Sequence, residues 1–211
     1  SWDVDQFTLP RQRYHLFIGY LEERDAGEWY LNDQLYAAYF EDFLLRDERI
    51  ELSESVMAVR DTAELLRLAR ERDDHYALLL RFNESNRSLE METTLFLTRT
   101  GRPVTTVRSI RGGNSRVENS VFHAGAVVRG RIPLRGTLVE RDFSNGLIDL
   151  GSTSGIAPEQ TIPLVRAGAA ELTADEPGVL FSTADHVGDF TVTRVDDLVA
   201  EGRVEPASVI D

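Results

Sequence analysis

The sequence predicts an α+β fold in which a mixed β-sheet with flanking helices is followed by a small all-β, barrel-like domain. Before Pro133, apolar runs of strand length alternate with segments whose apolar residues recur at helical spacing. From Leu134 to the end, only short β-runs occur, and glycine-containing turns separate them. The 211 residues are long enough for two cores, so we assign residues 1–133 to an α/β domain and residues 134–211 to a β domain.

The first domain is predicted to follow the order β-α-β-α-β-β-β-α or close to it. Strands are predicted over residues 14–21, 49–56, 75–82, 89–97 and 104–111, and helices over residues 31–46, 61–73 and 115–130. A helix between successive strands implies a right-handed crossover and parallel pairing. The turn at Gly101-Arg102-Pro103 instead joins two strands directly as an antiparallel hairpin, so we expect a mixed sheet.

Apolar stripes and N-terminal capping signals support the three helices. Asn32 or Asp33 can cap the first helix. Asp61 and Ser115 each stand three residues before a glutamate, which is the spacing of a capping box. The first helix has an unusually wide apolar stripe, formed by Leu35, Tyr36, Tyr39, Phe40, Phe43 and Leu44.

The second domain is predicted to contain five or six short strands and no helix of ordinary length. Turns are predicted at residues 144–146 and at the glycine-bracketed segment 151–155. Closure of such a sheet removes exposed edge strands, so we expect a barrel-like arrangement.

Composition excludes several classes of function. The net charge of −13 argues against a nucleic-acid partner, because such binding depends on a basic surface. All 23 basic residues are arginine, which excludes Schiff-base chemistry and a P-loop lysine. Without cysteine there is no thiol nucleophile, disulfide or cysteine-ligated metal. No apolar run is long enough to span a bilayer. Since the chain begins with Ser1, we expect a processed or cut form without its export signal.

The four histidines do not form a metal motif in the sequence. None of His15, His75, His123 and His186 lies three or four residues from another, so no helical pair of ligands exists. His15 and His75 each begin a predicted strand and share one sheet edge if those strands are parallel. Either they form a shared site, or they are ordinary histidines at strand ends.

Two further polar clusters have both a chemical and a local structural interpretation. Asp185, His186 and Asp189 could be an acid–base or metal cluster, or could hydrogen-bond within their own turn. Thr153 occupies the nucleophile position of a G-x-S-x-G elbow in segment 151–155, and a strand rather than a helix follows. The residue and its context therefore both exclude a nucleophile elbow.

Binding residues are predicted at two places. Gly112, Gly113 and Ser115 precede a helix, where an anion can bind free backbone amides. Glu28 and Trp29, with Tyr30, follow the first strand in an acidic loop near the carboxyl edge of the sheet, where ligands of α/β sheets bind. This loop is interpreted as a partner contact, a divalent-cation site or a solvated loop. An unpaired sheet edge is the other candidate contact surface.

The second domain contains a motif that resembles a known family. The segment Gly146-Leu-Ile-Asp-Leu-Gly-Ser-Thr-Ser-Gly-Ile-Ala-Pro-Glu-Gln-Thr-Ile-Pro-Leu-Val-Arg166 resembles the C-terminal β domain of the flagellar assembly protein T family. Glu159 stands where that family usually has its second motif glycine. Residues 190–195 and 199–204 resemble the final hairpin of the same domain.

The element order of the first domain is similar to the N-terminal domain of TolB and to related CsgG-like modules. These resemblances imply non-catalytic parts of bacterial cell-envelope assemblies, usually periplasmic, which work through protein contacts. They imply no cofactor, no metal and no catalytic residue.

The sequence therefore predicts a non-enzymatic protein-interaction module of a bacterial cell-envelope or flagellar assembly. The alternative is a regulatory module that binds a small molecule or anion at the strand-end crevice and the Gly112–Gly113 helix start. Thermal-shift screening against phosphates distinguishes the two, because Gly113→Pro should abolish a shift caused by an anion at that helix start.

Overall fold

The computed structural model describes residues 9, 11–21, 30–176 and 178–207, with the side chains of residues 30 and 31 left undescribed. The chain divides into two compact units. The α/β unit comprises Arg13–Pro133 and Thr173–Gly178. The β unit comprises Leu134–Leu172 together with the described residues of Ser1–Gln12 and Val179–Asp211.

The α/β unit is built on a mixed sheet, as the sequence predicts, but the sheet has six strands where five were predicted. Its elements are β1 (Tyr14–Leu21), α1 (Tyr30–Leu45), β2 (Ile50–Leu52), β3 (Met57–Val59), α2 (Thr62–Glu71), β4 (Tyr76–Glu84), β5 (Ser88–Leu97), β6 (Arg102–Gly112) and α3 (Arg116–Arg131). The strand order is β2-β1-β4-β5-β6, and β3 also pairs with β1. Pairing is parallel between β1 and its neighbours and antiparallel along β4-β5-β6.

The single strand predicted over residues 49–56 is two short strands in the structure. Ile50 in β2 pairs with Tyr14, whereas Met57 in β3 pairs with Gly19 farther along β1. The segment between them contains Ser53, Glu54 and Ser55, whose polar side chains have little tendency to remain in a buried strand.

Helices pack on both faces of this sheet. Leu65 and Ala69 of α2 lie in a buried cluster with Phe17, Ala77 and Leu79. Side chains alternate along a strand, so the neighbouring residues of β1 and β4 face the other side. There the ring of Tyr36 in α1 packs edge-to-face on Phe82 of β4, at 5.6 Å between centroids. The face covered by α1 and α3 carries the larger part of the buried aromatic side chains.

Only half of the wide stripe on α1 reaches the core. Tyr36, Phe40 and Leu44 are buried, as the stripe predicts. Leu35 and Tyr39 are instead 51% and 55% exposed. The apolar part of the helix circumference is therefore broader than the side that the sheet can cover, which leaves apolar residues on the solvent side.

The β unit contains an open antiparallel sheet, and the α+β class is confirmed. Its strands are β7 (Leu138–Asp142), β8 (Asn145–Ile148), β9 (Thr161–Val165), β10 (Glu171–Leu172), β11 (Val179–Leu180), β12 (His186–Val195) and β13 (Ala200–Pro206). Five of them form a sheet in the order β7-β8-β13-β12-β9, and β10 pairs with β11. Phe190 and Val192 lie at the centre of its core.

Two expectations for the β unit were wrong. Within the described residues β7 and β9 are the edges of the five-stranded sheet and do not pair, so no barrel closes. Closure depends on long-range register, which the spacing of short strands does not specify. The first hairpin turn consists of Phe143 and Ser144, because Asn145 and Gly146 already belong to β8.

None of the described helices is long and apolar enough to cross a membrane.

Candidate functional site

Of the three predicted partner-contact residues, only Tyr30 belongs to the described part of the chain. Glu28 and Trp29 fall outside the described residues, and only the backbone of Tyr30, which begins α1, is described. Their role in partner contact therefore stays a prediction. The described part of α1 follows this segment in the sequence and carries exposed apolar side chains, among them Leu35 and Tyr39.

This surface, which we call the aromatic face, consists of Leu35, Tyr39 and Phe43 of α1 and Phe122 of α3. Residues 35, 39 and 43 are four apart and so lie along one side of the helix. Phe122 is 64% exposed, and its ring packs edge-to-face on Phe43 at 5.9 Å between centroids. Edge-to-face geometry is favourable between aromatic rings, so the two helices present one continuous apolar surface.

A glycine allows the close approach of the two helices. A Cβ atom at Gly125 of α3 would lie 2.4 Å from two ring carbons of Phe43. No real side chain tolerates that distance, so Phe43 occupies the space that the missing side chain leaves. The guanidinium of Arg129 lies 5.7 Å from the centroid of the same ring, a favourable cation–π arrangement.

The beginnings of α1 and α3 are joined by a buried carboxylate, Glu84, at the end of β4. Tyr36 Oη donates to Glu84 Oε2 at 2.7 Å, and Asn32 Nδ2 donates to the same oxygen at 3.1 Å. Arg116 Nη2 donates to Glu84 Oε1 at 2.6 Å. Burial alone would raise the pKa of Glu84, but these hydrogen bonds outweigh it and hold the pKa below its ordinary value. Burial and the neighbouring carboxylate raise the pKa of Tyr36 to about 12.

The ends of the same helices are joined by a second buried carboxylate, Asp47. Arg49 donates to both of its oxygens, with 2.7 Å from Nη2 to Oδ2 and 3.0 Å from Nε to Oδ1. Arg129 Nε donates to Oδ2 at 2.9 Å. Arg49 also donates to the backbone carbonyls of Arg129 and Ile132, which lie at the end of α3. It thereby satisfies acceptors that a helix end leaves without partners.

These contacts show that α1 and α3 run side by side in the same direction. Both helices begin near Glu84 and end near Asp47, and Phe43 rests on Gly125 between them. Charge-assisted hydrogen bonds at both ends restrict sliding and separation of the pair. The aromatic face therefore lies on two helices that Glu84 and Asp47 hold together at both ends.

The predicted anion site lies at the start of α3. Gly113 has a φ of 81°, and no atom lies within 4 Å of the position of its missing Cβ. Ser115 precedes the first helical residue but makes no capping hydrogen bond with its side chain. Arg116 is engaged by Glu84 and by the carbonyl of Gly113, at 3.1 Å from Nη1. Gly112, Gly113 and Ser115 thus lie between the end of β6 and the start of α3, as the sequence predicts. Anion binding by these residues stays a prediction.

The two histidines predicted to share a sheet edge are brought together. His15 in β1 and His75, just before the parallel strand β4, have ring centroids 5.5 Å apart. The backbone N–H of His15 donates to Nδ1 of His75 at 3.0 Å. An imidazole nitrogen that accepts this bond is not free to bind a metal ion. The contact supports a structural role for His75 at the strand end.

The other polar cluster forms local contacts. Nε2 of His186 lies 3.1 Å from Oδ1 of Asp189, whereas Asp185 faces Arg166 at 3.7 Å between Oδ1 and Nη1. Within the described residues no group of three or more histidine or acidic side chains is arranged to hold a metal ion.

An acidic groove is present that the sequence analysis did not predict. It has a volume of about 410 Å³ and lies beside β2 and the end of α1. Four glutamates and one arginine line it with apolar side chains, namely Arg13, Glu41, Leu45, Glu48, Ile50, Glu51, Leu52, Glu54 and Ser55. Eight of the nine lie within residues 41–55, and only Arg13 is distant in the sequence. Glutamates spaced along one segment are also typical of a solvated surface, so their spacing alone does not indicate a groove.

Residues 13–129, more than half of the chain, match the model of the family described as TPASS_0648_2nd, a second domain. The chain belongs to this family. The matched residues begin one residue before β1 and end in the last turn of α3. They do not include residues 134–211. The search of curated proteins gave no match.

Several solved structures resemble parts of the fold. The PelC dodecamer from Paraburkholderia phytofirmans is 15% identical, with a TM-score of 0.36 over 56% of this chain and 84% of that one. The LpoB C-terminal domain from Salmonella enterica is 10% identical, with a TM-score of 0.28 over 49% and 86%. TolB from Acinetobacter baumannii is 10% identical, with a TM-score of 0.36 over 94% and 48%.

Proposed function

We propose that this chain is a non-catalytic protein-interaction module, and that the aromatic face of α1 and α3 is its contact surface. The observation that carries this proposal is the exposure of Leu35, Tyr39 and Phe122 on two helices that buried carboxylates brace at both ends. Contiguous apolar side chains on a soluble surface commonly mark a site of protein contact.

The partner is a different protein with an apolar surface. A second copy would bring another net charge of −13 to the contact, and like charges oppose association. A preformed aromatic surface loses little side-chain freedom on binding, and rigid aromatic residues dominate the energy of many interfaces. Glu28 and Trp29 directly precede α1 in the sequence, so the predicted contact residues are neighbours of this surface along the chain.

The bacterial cell envelope is the setting of this proposal, with the periplasm as compartment. Its support is the resemblance of the first domain to the N-terminal domain of TolB and to CsgG-like modules. Flagellar assembly is a narrower hypothesis, which rests on the motif in residues 146–166. The family model does not reach those residues.

Photo-crosslinking in the source organism tests the proposed function. The chain has no lysine for amine-reactive reagents, so p-benzoylphenylalanine is placed at Tyr39. Ile110 in β6 is a matched control, because it is also apolar and is 55% exposed like Tyr39 but lies outside the aromatic face. We expect discrete adducts with envelope proteins from position 39 and none from position 110. Equal labelling at both positions, or no protein adduct, would contradict the proposal.

Substitutions then measure the contribution of the face. Tyr39→Asp and Phe122→Asp are expected to weaken binding of the crosslinked protein at least about tenfold, because a carboxylate must be desolvated where an aromatic ring was buried. Ile110→Asp is expected to bind like the unmodified chain. Isothermal titration calorimetry with the purified pair measures all three affinities.

A further inference from the structure

The tip of the β7–β8 hairpin combines two unfavourable features in one residue. Phe143 is the first of two turn residues between the paired Asp142 and Asn145, and its φ is 50°. In such turns a positive φ at the first position favours glycine. A phenylalanine there suffers steric strain, because its Cβ approaches the backbone.

The ring of Phe143 gains no burial that would offset this strain. It is 91% exposed, more than any other large apolar residue of the described chain. Neither packing nor backbone preference therefore explains why phenylalanine stands at this turn. Strained and exposed residues of this kind concentrate at sites of function.

The backbone under Phe143 is nevertheless held in place. Nε of Arg141 donates to the carbonyl of Phe143 at 2.8 Å. The backbone N–H of Val204 in β13 donates to the carbonyl of Ser144 at 2.8 Å. The ring thus projects from a hairpin tip that is bonded to the neighbouring strand.

We propose that Phe143 is a second contact element, which inserts its ring into an apolar pocket on a partner protein. This inference rests on the proposed function as an interaction module. One protruding ring fits a concave apolar site rather than a flat surface, since only a pocket removes most of the ring from water. The partner differs from this chain, because a second copy would bring another net charge of −13 and like charges oppose association.

Glu159 provides a matched control in the same unit. It is also a non-glycine residue with positive φ, at 68°, and it is exposed, but its side chain is polar. Phe143→Asn and Glu159→Asn each introduce a residue that tolerates positive φ. Only the first of them removes an apolar ring, so the pair separates backbone strain from contact.

The experiment uses the full chain in its source organism, with p-benzoylphenylalanine at position 143 or at position 159. We expect a discrete protein adduct from position 143 and none from position 159. The adduct protein, once purified, should bind Phe143→Asn at least about tenfold more weakly than the unmodified chain. Phe143→Tyr and Glu159→Asn should retain affinity. Thermal unfolding of Phe143→Asn should show an unchanged Tm or a rise of about 2–4 °C.

Several outcomes would overturn the inference. One is unchanged affinity in Phe143→Asn, and another is a lower Tm, which would show that the ring serves the fold. Concentration-dependent self-association that Phe143→Asn abolishes, measured by sedimentation velocity, would identify a second copy as the occupant. If position 39 gives adducts and position 143 does not, this inference fails while the proposed function stands. If neither position gives adducts, both fail.

Discussion

Replacement of Asp47 by alanine is expected to lower the free energy of unfolding by about 3 kcal/mol. Asp47 is only 5% exposed, and its carboxylate is the common partner of Arg49 and Arg129. Its removal leaves two guanidinium groups without their counter-charge in a partly buried site. Arg49 also loses the anchor that directs it to the last carbonyls of α3. The effect therefore extends from the ion pair to the packing of α1 against α3.

The same carboxylate makes stability depend on pH. Burial alone would raise the pKa of Asp47, but the bonds from Arg49 and Arg129 outweigh burial and lower the pKa from 3.8 to about 2. The lower folded-state pKa means that this stabilisation is present above about pH 4 and is lost as pH falls toward 2. At neutral pH the lowered pKa contributes about 2 kcal/mol to the free energy of unfolding. Asp47→Ala should lose less stability than the unmodified chain over this pH range.

Urea unfolding followed by circular dichroism at 222 nm measures this prediction, because all three described α-helices lie in the α/β unit. Asp42→Ala is the control. Asp42 also bonds an arginine near the end of α1, but both partners of its pair with Arg46 are about 70% exposed. Asp42→Ala should lower the free energy of unfolding by less than about 0.5 kcal/mol. Equal effects of the two substitutions would show that burial of Asp47 contributes nothing.

Valine in place of Gly125 is expected to destabilise the α/β unit by about 3 kcal/mol. Its Cβ would fall on the ring of Phe43, at 2.4 Å, and the added methyl groups would collide further. Phe43 has to leave its position, so its contact with Phe122 and the aromatic face are disrupted together. The crosslinking and binding that depend on position 39 should therefore weaken in this variant even at temperatures where it remains folded.

Gly130→Ala is the control for this prediction. Gly130 lies in the same helix, but no atom lies within 4 Å of its missing Cβ. Alanine is the better helix former, so we expect a gain of about 0.5–1 kcal/mol. Urea unfolding at 222 nm measures both variants. A Gly125→Val chain as stable as the unmodified one would mean that α1 and α3 do not approach as closely as the structure has them.

Of the two helix N-termini at which the sequence predicts a capping side chain in a box, the structure forms the side-chain cap at one. Asp61 caps α2 as predicted, because its carboxylate accepts from the backbone N–H of Glu64 at 2.8 Å. The Glu64 carboxylate, however, accepts from the backbone N–H of Arg60 at 2.8 Å, one residue before the position that a capping box requires. The equivalent box at Ser115 is wrong, since no side-chain hydrogen bond caps α3. Ser115 has a ψ of 21° rather than the extended conformation of a capping residue, so its hydroxyl is not placed to accept from the first turn.

The candidate site was predicted less well than the fold. The apolar stripe of α1 is evident in the sequence, but its division into buried and exposed residues is not, because periodicity shows which residues share a face and not which of them the sheet covers. Glu84 and Asp47 were missed because their partners are distant in the sequence. Glu84 is the last residue of a largely apolar strand, and a charged residue in that position is the signal that could have indicated a buried ionic contact.

The sequence by itself determined the class of this protein: which segments form strands or helices, the mixed pairing of the first sheet, and the exclusion of lysine and cysteine chemistry. These properties depend on composition and short-range periodicity. The tertiary structure alone decided that Leu35 and Tyr39 face solvent, that Gly125 admits Phe43, that Phe143 carries the turn, and that the second sheet stays open. Each of these depends on how distant segments meet, and only the folded chain brings them together.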